Sequence, residues 1–280
     1  MALDQVDVDK YEEQQEKEMS FLEHLEELRW HLVRSTLAIA VVAIAVFLAK
    51  DFVFNTVLFG PKNPDFLSYQ GICNLSELLG MGESLCFQPP SFNIIATEFG
   101  ERFIVHIKVS IMLGFVVAFP YVFYQIWSFI APGLYDEERK AARGVVLVCS
   151  TLFISGVLFG YFIISPFAVN FLAGYAIDDV EATTSLSSYV SYMMMFTIPT
   201  GIIFELPVVV YFLAKVGLVT ADFMKTYRKH AFVIILVLAA LITPPDVVTQ
   251  FLIGIPLYFL YEGSIIIASR MERKNELESR

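Results

Sequence analysis

Charge is scarce in this chain and unevenly placed. Asp, Glu, Lys and Arg together make up 17% of the 280 residues, against 56% hydrophobic, whereas ordinary soluble domains are about 45–50% apolar. One soluble core of this size would need a polar surface that so few charges do not supply. Long uncharged stretches alternate with short charged ones, which is a membrane pattern. The balance is acidic, with a net charge of −10, and nucleic-acid binding wants a basic patch instead. Cysteine is limited to three copies, and no CxxC or Cys/His spacing suggests a metal site. Walker A, HExxH and GxSxG patterns are all missing, so nothing points to nucleophilic or metal catalysis, and neither an enzyme nor a cofactor is expected. No repeat relates the two halves, which weakens any reading as a transporter built on duplicated bundles. The first residues hold Asp4, Asp7, Asp9, Glu12, Glu13, Glu16 and Glu18 with no apolar core. That excludes a secretory signal peptide and an Arg-rich transit peptide, leaving a bacterial inner membrane as the expected address.

What the chain does have is apolar length. Six segments are predicted as helices, at residues 32–48, 103–126, 145–171, 190–214, 231–242 and 247–268. A helix needs about 20 residues to cross the hydrocarbon layer, and the first four meet or approach that. The fifth is short and ends at Thr243-Pro244-Pro245-Asp246. The sixth has Gln250 near one end and Glu262 near the other. These two form either a re-entrant hairpin or two short spans beneath a locally thinned bilayer. Of 19 Lys and Arg, only Lys50, Lys62 and Arg102 would face one side; Lys108 falls inside the second segment, and the rest gather on the other side. The positive-inside rule then gives N-in and C-in. The expected fold is an all-α integral membrane protein of six spans. An acidic, disordered tail at 1–19 precedes a membrane domain at 20–270, and a cytoplasmic tail follows at 271–280. The external loops would be 51–103, 174–186 with Asp178, Asp179 and Glu181, and the Pro-Pro-Asp turn. Cys73 and Cys86 both fall in the first, facing an oxidising compartment, and a disulfide is expected. Cys149, in the third segment, reads as packing.

Several carboxylates stand out. Ser20 and Glu23 form a capping box, so a helix begins there. Phe21, Leu25, Leu28 and Leu32 share one face of it, and Glu23, Glu26 and Glu27 lie opposite. This amphipathic helix would run on the cytoplasmic surface into the first span. Its acidic face is either simply solvated or a surface for a basic partner. Pro132-Gly133 would break the second helix within a cytoplasmic loop, 127–139, that exposes Phe129. Asp136, Glu137 and Glu138 then open the third helix, as caps on its dipole or as a second carboxylate site. Guanidinium groups pair bidentately with carboxylates, so two such sites would suit an Arg-containing peptide. Glu205 lies inside the fourth span, between Pro199 and Pro207, which should bend it. A carboxylate there is functional by default, with an interhelical hydrogen bond as the structural alternative. Lys108 and Glu262 sit near span ends and would snorkel. Asp246 would cap the sixth helix, and Gly156 with Gly160 gives a helix-packing GxxxG.

Four segments, FLEHLEELR (21–29), WSFIAPGLY (127–135) with Glu138 and Arg139, FELP (204–207) and LITPPD (241–246), occur in order. Together they resemble TatC, the large membrane subunit of the twin-arginine protein translocase, over roughly residues 20–270. The resemblance implies a receptor for signal peptides with paired arginines, bound by Glu27 and Glu138 with Arg29 and Phe129 beside them. It implies that Glu205 lines the wall of a concave, glove-shaped six-helix bundle. Thr243, Asp246 and Gln250 would lie where single-span TatA- and TatB-type subunits dock, in an oligomeric complex. Folded cargo would cross on the proton-motive force, without ATP hydrolysis by this subunit. The acidic N-terminal extension and the enlarged first external loop depart from simpler members. The rival reading is a proton-coupled secondary transporter using Glu205, but the sequence offers one isolated acid rather than a polar cluster. An intramembrane enzyme would lack a catalytic set.

Overall fold

The structure, a computed structural model, describes residues 21–78, 80, 82, 86, 91–130, 142–175, 183–242 and 247–278. Helix α1 (Phe21–Leu48) contains neither Gly nor Pro, so nothing interrupts it. The amphipathic stretch and the first apolar segment are therefore one rod. After it come α2 (Leu67–Leu78), strand β1 (Asn93–Ile95) and α3 (Glu101–Ile130). Helix α3 runs past its expected end. Trp127 and Phe129 lie on its last turn rather than in a loop, because the Pro132-Gly133 breaker comes only afterwards.

The third apolar segment is not a uniform helix. Helix α4 (Ala142–Phe159) passes through a π-helical turn at Gly160–Ile164 into α5 (Ser165–Gly174). Pro166 has no N–H to give the ladder, and the Ser165 hydroxyl donates to the Gly160 carbonyl at 2.9 Å. Strand β2 (Thr183–Ser185) leads into α6 (Leu186–Ile203), where Ser185 Oγ caps the helix by accepting from Ser188 N at 3.1 Å. A turn at Phe204 and Glu205 separates α6 from α7 (Leu206–Lys215). Of the two prolines expected to bend this span, Pro199 sits inside unbroken α6, and Pro207 follows the break. The chain ends with α8 (Ala221–Thr226), α9 (Arg228–Ile242) and α10 (Val247–Glu278). Helix α10 continues well past 268, with Met271 buried and Glu272 accepting from the Ala221 amide at 2.8 Å.

The long connection between α1 and α3 is a built cap. Cys73 on α2 is disulfide-bonded to Cys86. Tyr69 donates to the Pro61 carbonyl at 2.6 Å, Tyr189 to that of Leu58 at 2.9 Å, and Tyr161 to that of Val57. Burial pushes the Tyr69 phenol up from its ordinary value. Strand β1 pairs in parallel with β2, Ile94 opposite Thr184.

Small residues bring the spans together. A Cβ on Gly114 of α3 would meet Ala43 Cβ of α1 at 2.9 Å, and one on Gly156 of α4 would meet Gly201 Cα of α6 at 2.8 Å. The main core runs through Val105, Ile164, Val190, Phe196, Ala239 and Leu257. A second, at the other end, joins Ala214, Ala221, Met224, Ile265, Ala268 and Met271. The outer surface is apolar: Leu37, Val41, Ile44, Leu147, Val209 and Phe259 are all exposed. Among the described residues, five helical stretches are long and apolar enough to cross a membrane, with 11% to 44% of each apolar window buried. Apolar faces left outside in this way are a bilayer's, not water's, and the chain is a multi-pass membrane protein. Helix α9, with 15 residues, falls short of that length.

Candidate functional site

The start of α1 lies against the end of α3, and the polar groups of both meet there. His24, Glu27, His31 and Ser35 recur at helical spacing along one face. His31 Nδ1 is 2.6 Å from Gln125 Oε1, and Gln125 is only 4% exposed. His31 Nε2 lies 4.0 Å from Glu27 Oε1. The other oxygen of Glu27, Oε2, is buried and has no hydrogen-bond partner among the described residues. Phe129 is half-buried rather than exposed: His24 stacks on it at 4.4 Å, and His31 meets it edge-on at 6.2 Å. Glu27 and Phe129 are thus joined through His31.

Arg29 is not part of that meeting. It pairs with Glu26 at 3.6 Å, lies over the Trp30 ring and borders a groove with Leu25, Leu28 and Leu32. An open hollow on the Glu27 side is lined by Glu26, Glu27, Trp30, His31 and Arg34. Glu138, Thr243 and Asp246 lie outside the described residues, as do Ser20 and the Glu23 side chain. Sequence reasoning missed His24, His31 and Gln125. The signal was the polar stripe at 24, 27, 31 and 35, which the apolar stripe beside it overshadowed.

Glu205 stands at the break between α6 and α7. Its carbonyl accepts from Val208 N at 2.9 Å and Val209 N at 3.1 Å, restarting the helix beyond Pro207. Both carboxylate oxygens are buried without a hydrogen-bond partner among the described residues. The neighbouring groups, both on α4, are the Cys149 thiol, a weak donor at best, and the Phe153 backbone amide. Cys149 had read as plain packing; no sequence signal tied it to a residue 56 positions away.

Several other polar groups on the long helices have partners. Glu262 of α10 pairs with Arg228 of α9 at 2.7 Å and accepts from the Tyr258 hydroxyl at 3.0 Å. It is therefore tied between helices rather than snorkelling alone. Lys108 donates to Ser191 Oγ at 3.2 Å. Gln250 donates its amide to the Leu236 carbonyl at 3.1 Å, pinning α10 to α9. Glu101 went unnoticed in the sequence. It is 4% exposed and accepts from Thr97 N, Thr97 Oγ1, Glu98 N and, across to α6, Ser187 N. One carboxylate thereby closes the turn leading into α3 and takes a free amide at the N-terminus of α6.

The profile of the Sec-independent protein translocase protein (TatC) family matches residues 23–256. TatC of Blattabacterium sp. subsp. Periplaneta americana is 38% identical, covering 93% of this chain and 98% of that protein. TatCy of Bacillus subtilis is 34% identical over 94% of this chain and 93% of its own length. A crystal structure described as the twin arginine translocase receptor TatC matches with a TM-score of 0.66 at 33% identity, covering 89% of this chain and all of that one. Helix order, apolar exterior and sequence agree, and the chain belongs to the TatC family of Sec-independent protein translocase components, which are transport subunits and not enzymes.

Proposed function

We propose that this chain is the signal-peptide receptor of a twin-arginine translocase, reading the paired arginines through Glu27 and Glu138. The observation that carries the reading is Glu27 itself. Its carboxylate is set at the junction of α1 and α3, beside an open hollow, with one oxygen lacking any donor among the described residues. A buried, unsatisfied carboxylate oxygen is costly, and a guanidinium supplies parallel N–H donors in the geometry a carboxylate accepts. The half-buried Phe129 ring adds an apolar wall beside it.

The remainder of the reading follows the family. The chain is placed N-in and C-in with six spans in a bacterial inner membrane. TatA- and TatB-type single-span subunits assemble on it near Thr243, Asp246 and Gln250, in a complex of several copies. Glu205 serves the later transport step, which runs on the proton-motive force. The test is binding of a fluorescent twin-arginine signal peptide to the purified protein. Glu27→Ala combined with Glu138→Ala should weaken binding about thirtyfold or more, as loss of a buried charge partner does. A twin-lysine peptide should bind the wild type less well. Binding unchanged in the double variant would overturn the assignment.

A further inference from the structure

We propose that His31 is a positioning residue for the arginine-reading carboxylate, held in register by Gln125 of α3; this rests on the reading of Glu27 given above. The imidazole stands between two groups. Nδ1 meets Gln125 Oε1 at 2.6 Å, while Nε2 faces Glu27 Oε1 at 4.0 Å. The second distance is too long for a hydrogen bond but within reach of an ion pair or a bridging water. Gln125 is nearly fully buried, so packing fixes its amide. The ring is further held edge-on to Phe129 at 6.2 Å, and the Ser35 hydroxyl donates to the His31 carbonyl one turn on at 2.8 Å.

The consequence is an asymmetric carboxylate. Oε1 of Glu27 is turned toward the imidazole, and Oε2 has no donor among the described residues. A glutamate on a free helix surface samples several rotamers and would lose that freedom on binding. Here the histidine restricts it beforehand, with Oε2 left for the incoming guanidinium. Pre-set groups bind more tightly because less ordering remains to be done. The same chain of contacts, Gln125 to His31 to Glu27, links the reading group to α3, the helix that carries Phe129. The other described charged groups lining the hollow, Glu26 and Arg34, are on α1 itself, and α3 contributes none of the charged residues that line it.

The bland alternative is that His31 merely joins two helices. A double-mutant cycle separates the two, since a coupled pair is non-additive and an independent pair is not. Twin-arginine peptide affinity is measured for wild type, Glu27→Gln, His31→Phe and the double variant, with thermal unfolding in detergent as the folding control. His31→Phe should weaken binding about tenfold. Glu27→Gln should cost about thirtyfold in the wild type and less than threefold in the His31→Phe background. His31→Gln, whose amide reaches the Nε2 position, should bind like wild type, while His31→Asn, which reaches only the Nδ1 position, should behave like His31→Phe. This last pair decides the matter if His31→Phe fails to fold. Equal penalties for Glu27→Gln in both backgrounds, or equal binding by the Gln and Asn variants, would overturn the proposal while leaving Glu27 as the peptide site. No penalty for Glu27→Gln in the wild type would overturn the peptide site as well.

Discussion

Glu205 is a carboxylate inside a membrane span, where placing the charged form costs at least about 2.5 kcal/mol. The helix opens around it: α6 ends at Ile203 and α7 begins at Leu206, so the acid sits where the backbone is already irregular. Its neighbours on α4 are the Cys149 thiol and the Phe153 backbone amide, and neither carboxylate oxygen makes a hydrogen bond among the described residues. An acid placed so sparsely is poorly explained as a structural tie, unlike Glu262 with its Arg228 and Tyr258 partners. Glu205→Gln removes the titratable proton and keeps the shape. It should leave the protein inserted and assembled with its partner subunits, as seen by native electrophoresis, and should strongly reduce export of a folded reporter. Full export by Glu205→Ala would assign the residue a structural role. Glu205 was legible in the sequence because one acid among apolar residues needs no partner to be noticed. Cys149, His31 and Glu101 were not, because each matters through a contact with a distant element. Glutamate 101 reads as an ordinary first-turn acid until Ser187 is brought to it.

At the scale of elements, the GxxxG pair, Gly156 on α4 and Gly160 at the start of the π-helical turn, is a crossing point with α6. A Cβ on Gly156 would meet backbone, Gly201 Cα, and the root of Phe204, Cβ, both at 2.8 Å. Neither can move aside without shifting α6. A Cβ on Gly201 would instead meet the ends of the Val157 and Phe153 side chains, which have more freedom to give. Gly156→Ala should therefore destabilise the protein by about 1–3 kcal/mol, in the range of overpacked cores, and more than Gly201→Ala. Gly263→Ala on α10, with nothing within 4 Å of the added carbon, should be neutral or slightly stabilising. Unfolding midpoints in one detergent compare the three. Spacing alone exposed the glycine pair, but not the π-helical turn that starts at Gly160. The cap itself, with α2, the disulfide and the β1–β2 pairing, was hidden as well. Its strands are three residues each and pair across about 90 positions, too short and too remote for any periodicity to show. The cysteine pair was visible because oxidation depends on compartment, which the Lys and Arg distribution sets.

At the scale of the whole molecule, the open matter is whether α9 and α10 each cross the bilayer. Fifteen residues in α9 give about 22 Å of helix, against roughly 30 Å of hydrocarbon. Helix α10, with 32 residues, is amply long. Two features favour a crossing pair beneath a thinned bilayer over a hairpin that turns back within it. The Arg228–Glu262 pair ties the start of α9 to the middle of α10, and Gln250, in the first turn of α10, donates to Leu236 in the middle of α9, so the two helices are joined at two levels. Rigid helices shorter than the membrane are accommodated by thinning the lipid. A crossing pair would put position 246 in external water. Cys149 is fully buried, and Cys73 and Cys86 are bonded to each other, so an introduced thiol is the reactive one. Asp246→Cys should react with a membrane-impermeant maleimide in intact cells. Val216→Cys, an exposed position between α7 and α8, should react only after permeabilisation. An Asp246→Cys thiol that stays unlabelled in both conditions would place the turn inside the membrane and reduce the crossings from six to four.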